Sequence, residues 1–330
     1  MREKISMKLQ ASFAVLLSGA ALAAGPAAAQ TDGSANHSKV TRTATAPAPT
    51  SSGGREKLVV GMPKTYGKSE TMLLWGDYFN HLSRCANVDL QNAQGDSLER
   101  SSNIDILGEK DLIDGIVSGS FQLAQVNPGL VPQLVREGQP APFAVPGNKA
   151  SGKRNSYQLV LITRVDSPYS KPKDLVGKKI AHTTPTSNSG NLAPRALFPA
   201  LGLIPDQNYE VVFSKGHERS VMGVMHGFYD GAAVASDLYQ RMVVKGEVKG
   251  SSIRTIWESP PFMTETWTMG KDVSPDLQAR VKKCSYNYNF SPKLRQLLAG
   301  NDTFLPIQFE RDFATVMEVY QKSQKAQAAK

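Results

Sequence analysis

Residues 183–189 read Thr-Thr-Pro-Thr-Ser-Asn-Ser, a run of hydroxyls and amides able to hold an anion. They follow an apolar strand pattern, Lys179-Ile180-Ala181, and lead into a helix pattern opened by Gly190, with Ala196, Leu197, Ala200 and Leu201 as its apolar positions. The first N–H groups of a helix lack intrahelical acceptors. Short Ser and Asn side chains beside them make a cradle for an oxyanion. Thr186, Ser187, Asn188 and Ser189 are the candidate donors. Plain capping by Asn188 or Ser189 is the alternative, but six polar residues in seven exceed what a cap needs.

The elements that must position this turn alternate between strand and helix. Apolar runs at 57–61, 88–90 and 122–126 read as strands, and 69–84, 109–118 and 131–137 as helices, with Leu73, Leu74, Tyr78, Phe79 and Leu82 on the apolar face of the first. A second series places strands at 158–164, 179–182, 210–213, 230–235 and 253–259, with helices at 172–175, 219–228 and 236–243. Helical patterns at 275–281, 292–298 and 310–322 close the chain. This predicts an α/β protein of two lobes, each a mostly parallel sheet flanked by helices. In open α/β sheets ligands sit beyond the carboxyl ends of the strands. There the sequence puts Tyr66, Asn127, the 184–189 turn, His217, Asp237 and Glu265. A cleft between the lobes is the expected site.

Residues 1–29 read as a cleavable signal peptide: basic Arg2, Lys4 and Lys8, an apolar stretch at 11–24 too short to span a bilayer, and Ala27-Ala28-Ala29. Residues 30–56 are Ser-, Thr-, Ala- and Pro-rich, a composition expected of a disordered linker. The expected organisation is lobe 1 from 57–152 plus 266–322, lobe 2 from 153–265, and a disordered tail at 323–330. The formal charge of +9 is scattered. With an export signal it argues against nucleic acid; a modest field that gathers small anions and simple solubility are the two readings it leaves. Cys85 and Cys284 are the only cysteines. Export favours their pairing as a disulfide; a thiol site for a soft metal or metalloid is the alternative. No cofactor and no metal are expected.

Three segments resemble one family. SNSGNLAPRALF resembles the STSG-x-L-x-P motif of the periplasmic phosphate/phosphite/phosphonate-binding proteins, the two-lobed solute receptors of ABC importers. VVFSKGHERSVMGVMHG followed by DGAAVASD is similar to the family's segment in which a Gly-His pair precedes a helix and an Asp-Ala-Ala strand. FLPIQFERDFATVMEVY is similar to its terminal F-x-P-x-x-Y-x-x-D-Y. The likeness spans about 57–322 and implies the type 2 periplasmic-binding-protein fold. It implies that Ser187, Asn188, Ser189 and His217 grip ligand oxygens while Asp237 and Glu265 face the ligand's other end. Asn188 replaces a threonine, Gln122 an aspartate, and Asn127-Pro128-Gly129 a Gly-Pro turn followed by an aromatic.

The leading expectation is a monomeric periplasmic receptor that captures a phosphite, phosphonate or phosphate and delivers it to an ABC permease. A sensor that presents an oxyanion or arsenite to a histidine kinase is the second reading. A hydrolase using Ser189, His217 and Asp237 is the third, though no G-x-S-x-G elbow is present. If both carboxylates line the cleft, a bare dianion is repelled, and the expected ligand brings a P–OH, an As–OH or an ammonium group.

Overall fold

The computed structural model of the chain describes residues 54–328. The expected leader, and the expected linker apart from its last few residues, lie outside them. Strand β1 (Glu56–Pro63) therefore begins one residue inside that linker.

The first lobe starts with β1, α1 (Lys68–Cys85), β2 (Val88–Gln91), β3 (Asp105–Leu107), α2 (Glu109–Val117), β4 (Leu123–Val126), α3 (Val131–Arg136) and β5 (Ala144–Gly147). The chain then crosses through β6 (Ser156–Tyr157). The second lobe is built from β7 (Leu159–Arg164), β8 (Lys179–His182), α4 (Ala193–Leu197), β9 (Glu210–Phe213), α5 (His217–Met225), β10 (Gly231–Ala235), α6 (Ser236–Val244) and β11 (Ile253–Glu258). The return passes through β12 (Phe262–Met263) into β13 (Thr266–Met269). Then come α7 (Pro275–Tyr286), α8 (Pro292–Leu297), β14 (Thr303–Pro306), α9 (Phe309–Asp312) and α10 (Ala314–Ala328).

Both sheets are mixed, which corrects the mostly parallel expectation. β1 is parallel to β2, β3 and β4, whereas β13 lies between β4 and β5 antiparallel to both, and β14 is antiparallel to β5. In the second sheet β8 is parallel to β9 and β10, while β7 runs antiparallel between β10 and β11. Each crossover thus delivers one reversed strand into the sheet it enters. The two crossovers also pair with each other, β6 antiparallel to β12, so the lobes are joined by a two-stranded ribbon.

The first lobe packs around aromatic side chains. Trp75 stacks on Phe304 with centroids 6.0 Å apart, and Tyr78 meets Trp267 edge-on at 5.2 Å. Burying each such ring contributes roughly 1.5–3 kcal/mol. Leu73, expected on the same face, is 62% exposed; Trp75 takes the buried position. Cys85 at the end of α1 is bonded to Cys284 in α7, with Cα atoms 5.8 Å apart. The last helix departs from expectation twice. It continues to Ala328, past Lys322. It packs on α4 of the second lobe and α3 of the first, so it spans both rather than completing lobe 1.

Candidate functional site

The registers explain why scattered residues converge. Tyr66, Asn127, the 183–189 turn, His217 and Asp237 follow the carboxyl ends of β1, β4, β8, β9 and β10. Glu265 precedes β13, whose Thr266 pairs with Val126 at the end of antiparallel β4, so it joins the same rim.

The polar turn is rigidly built. Ser187 is its cap: the hydroxyl accepts from Gly190 N at 3.2 Å. The helical run begins at Asn188, two residues earlier than the pattern suggested, as one wide turn (Asn188–Leu192) ahead of α4. Gly190 is required there, because a Cβ would lie 1.8 Å from Thr183 Oγ1. Behind the turn, Asn191 Nδ2 donates to Pro185 O at 2.7 Å, and Asn191 Oδ1 accepts from His182 Nδ1 and Arg195 Nε. Tyr209 Oη bonds His182 Nε2 at 3.0 Å, completing a buried network that fixes the turn against β8 and β9. Burial pushes the His182 imidazole down to about 4, so it is a neutral scaffold residue.

Asn188 and Ser189 are buried beside Tyr157 of the crossover ribbon. Asn188 Nδ2 donates to Tyr157 Oη at 3.0 Å, and the Ser189 hydroxyl lies near the same phenol. Asn188 Oδ1 is a buried acceptor without a partner among the described residues. Thr186 is half-buried, and its carbonyl oxygen touches the first-lobe turn: a Cβ on Gly129 would sit 2.5 Å from it. Asn127 is committed to that first-lobe turn. Its Oδ1 accepts from Gly129 N at 2.8 Å and its Nδ2 donates to Glu109 Oε1 at 3.1 Å. Gln122, which resembled a site position, braces β1 by accepting from Val59 N at 2.8 Å.

His217 opens α5 rather than lying in the loop before it. Ala235 N–H donates to its Nδ1 at 3.1 Å. The ring proton therefore sits on Nε2, which is a donor with no protein partner among the described residues. Burial first, and the Arg241 charge second, lower its pKa to about 4. Asp237, in the first turn of α6, pairs with Arg241 Nη1 at 3.3 Å, not with His217. A Ser-His-Asp relay is thus not assembled. Glu265 Oε1 accepts from Thr65 Oγ1 at 2.8 Å, and burial raises its pKa. Burial also raises Tyr66, to about 12, and its phenol feels Arg241, Glu265 and Asp237.

The structure therefore gathers Tyr66, Glu265, Asp237 and His217 around a residue the sequence reading missed, Arg241. Its charge acts on three of these four, Tyr66, His217 and Glu265, and it bonds the fourth. The available signal was its place four residues after Asp237, on the same face of one helix.

Two mixed α/β lobes, a paired crossover ribbon and a polar cleft at the strand ends define the type 2 periplasmic-binding-protein fold. The chain belongs to the family described as ABC transporter, phosphonate, periplasmic substrate-binding protein, whose model matches residues 97–309. A phosphate-import protein PhnD of Mycolicibacterium smegmatis is 24% identical over 203 residues, 58% of this chain; the match spans 62% of that relative's length. A binding protein component of an ABC phosphonate transporter from Pseudomonas aeruginosa superposes with a TM-score of 0.66 at 14% identity, covering 83% of this chain and 89% of that one. PhnD1 of Prochlorococcus marinus, in complex with methylphosphonate, gives 0.65 at 14% identity, covering 82% and 99%.

Proposed function

We propose that this chain is an exported solute receptor that closes on a small phosphorus oxyanion (phosphate, phosphite or an alkylphosphonate) and hands it to an ABC permease. One observation carries the reading. Asn188 meets Tyr157, whose phenol feels Asp237 and Glu265, and Arg241 acts on the same carboxylates and on His217, so the polar turn, the Nε2–H of His217 and the Arg241 guanidinium would offer donors to one cleft. An anion that gives up its water needs such fixed donors. Family membership supports the periplasm, the permease partner and a binding role without catalysis. The leader at 1–29 would supply export. The metalloid sensor loses the thiols that motivated it: both are joined in one disulfide, and no other cysteine exists.

Thermal shift and calorimetry on the purified chain test the reading. A true ligand at 100-fold its Kd stabilises the fold by about 2.7 kcal/mol. Phosphate, phosphite or methylphosphonate should do so where sulfate does not. A chain that ignores all three phosphorus oxyanions refutes the proposal.

A further inference from the structure

We propose that Arg241 sets the ligand class of this cleft: it supplies from the protein the positive charge that Asp237 and Glu265 would otherwise draw from the ligand, so the site takes a phosphorus oxyanion without an amino group. The inference rests on the receptor reading above.

Two buried or half-buried carboxylates beside an oxyanion site pose a charge conflict. A zwitterionic ligand would relieve it by placing an ammonium between them. Here the protein relieves it first. Asp237 already holds Arg241 at 3.3 Å, one helical turn away on α6. Glu265 already accepts from Thr65 at 2.8 Å and feels the same guanidinium. An incoming ammonium would meet a like charge and carboxylates whose lone pairs are partly taken.

Arg241 also has donors to spare. Only Nη1 bonds a protein group among the described residues, and a guanidinium carries five N–H donors in a planar fork. Its side chain keeps 23% of its surface exposed, so it is reachable. It is therefore suited to bind a second face of the anion, bidentately, while Asp237 fixes its orientation. The ammonium that the carboxylates seemed to demand of the ligand is no longer needed.

Methylphosphonate and 2-aminoethylphosphonate carry the same anionic head and differ in the ammonium, so they separate the alternatives. Calorimetry on the wild-type chain should show methylphosphonate binding at least tenfold more tightly. Arg241→Gln should lower or invert that ratio by about tenfold, since Asp237 becomes free to take the ammonium; Arg241→Lys should retain the wild-type order. Tighter or equal binding of 2-aminoethylphosphonate by the wild type overturns the proposal, as does an unchanged ratio in Arg241→Gln. Should that variant fail to fold by circular dichroism, Asp237→Asn decides: releasing Arg241 from its partner should widen the wild-type ratio, and a narrowed or unchanged ratio overturns the proposal. A wild-type chain that binds neither phosphonate nor phosphate removes the receptor reading itself, and this inference with it. Binding of both phosphonates in the wrong order removes only the role of Arg241.

Discussion

Thr184 of the second lobe donates to Glu109 of the first, Oγ1 to Oε2, at 3.2 Å. Glu109 is the first residue of α2, and its other oxygen accepts from Asn127 Nδ2 at 3.1 Å. One carboxylate thus ties the first-lobe turn to the second-lobe anion turn. Beside it, the glycine surface of Gly129 lets the Thr186 carbonyl approach. These contacts join the two lobes beside the candidate site, and any opening of the lobes would have to break them.

The first prediction concerns that carboxylate. Burial raises the Glu109 pKa above its usual 4.5, and this outweighs the two hydrogen bonds that lower it. A folded pKa above the unfolded one means that its stability contribution is complete below about pH 4.5 and is lost as pH rises through the folded value. Glu109→Gln keeps an acceptor for Thr184 and removes the buried charge. Thermal melts across pH 4–8 should show this variant equal to or more stable than wild type at pH 7–8, with no gain at pH 4. A loss of more than about 1 kcal/mol at pH 7 would mean that the charge-assisted bonds dominate.

A second prediction concerns closure. Thr184→Val deletes the bond between the lobes, worth about 1 kcal/mol, without touching the turn's own hydrogen bonds. That shifts an open–closed equilibrium roughly fivefold toward open. Small-angle scattering should show a larger radius of gyration for the unliganded variant and convergence with wild type once ligand is saturating. Identical scattering curves without ligand would show that this contact does not bias closure.

The third prediction separates the cap from the cradle. Ser187 is the cap; Ser189 is buried at Tyr157 and has no capping duty. Ser189→Ala should therefore weaken oxyanion binding about ten- to a hundredfold, the loss of one bond of 1.5–3 kcal/mol to a charged group. Ser187→Ala should cost fold stability, about 1 kcal/mol. The reverse pattern, with stability lost in Ser189→Ala and affinity in Ser187→Ala, contradicts these roles.

His217 gives a fourth. Its folded pKa, about 4, lies below the usual 6.5 because of burial and then Arg241. A depressed pKa contributes stability above pH 6.5 that is lost as pH falls toward 4, where the unfolded chain takes up the proton more readily. NMR of its ring protons should show no titration between pH 5 and 8. A midpoint near 6.5 would place the ring in water and remove it from the cleft.

The contrast between what the sequence revealed and what it hid has physical causes. The Thr183–Ser189 turn was legible because its composition exceeds local need. Strands β5, β13 and β14 escaped because AVPG, TWTM and TFLP carry little strand pattern of their own. β5 finds its neighbours β13 and β14 in the returning chain, those two find β4 and β5 in the outgoing one, and only that tertiary pairing makes them strands. Arg241 escaped for a related reason. In SDLYQR it looks like one half of an ordinary surface pair with Asp237, and only the approach of Tyr66 and Glu265 turns that face into part of a cleft. Asn127 was legible as a turn residue, and besides serving the turn it donates to Glu109.

The last prediction concerns the disulfide. Cys85 ends α1 and Cys284 lies in α7, 199 residues later, so the bond closes a loop that contains the entire second lobe. Cross-linking at that separation removes about 5 kcal/mol of unfolded-state freedom in the loop-entropy model. The native geometry it holds is nevertheless local to the first lobe. α1 packs on α7, His81 Nε2 bonds Cys284 O at 3.0 Å, and Tyr78 Oη pairs with Ser285 Oγ at 2.8 Å. None of these hydrogen bonds involves a cleft residue; Tyr66 only packs against the edge of the same core. The double variant Cys85→Ser, Cys284→Ser should therefore unfold at lower urea by several kcal/mol, and its oxyanion affinity at a temperature where it remains folded should match wild type within twofold. A large loss of affinity in the folded variant would show that the first-lobe core governs the site, and stability unchanged to within about 1 kcal/mol would show that the unfolded chain is already compact.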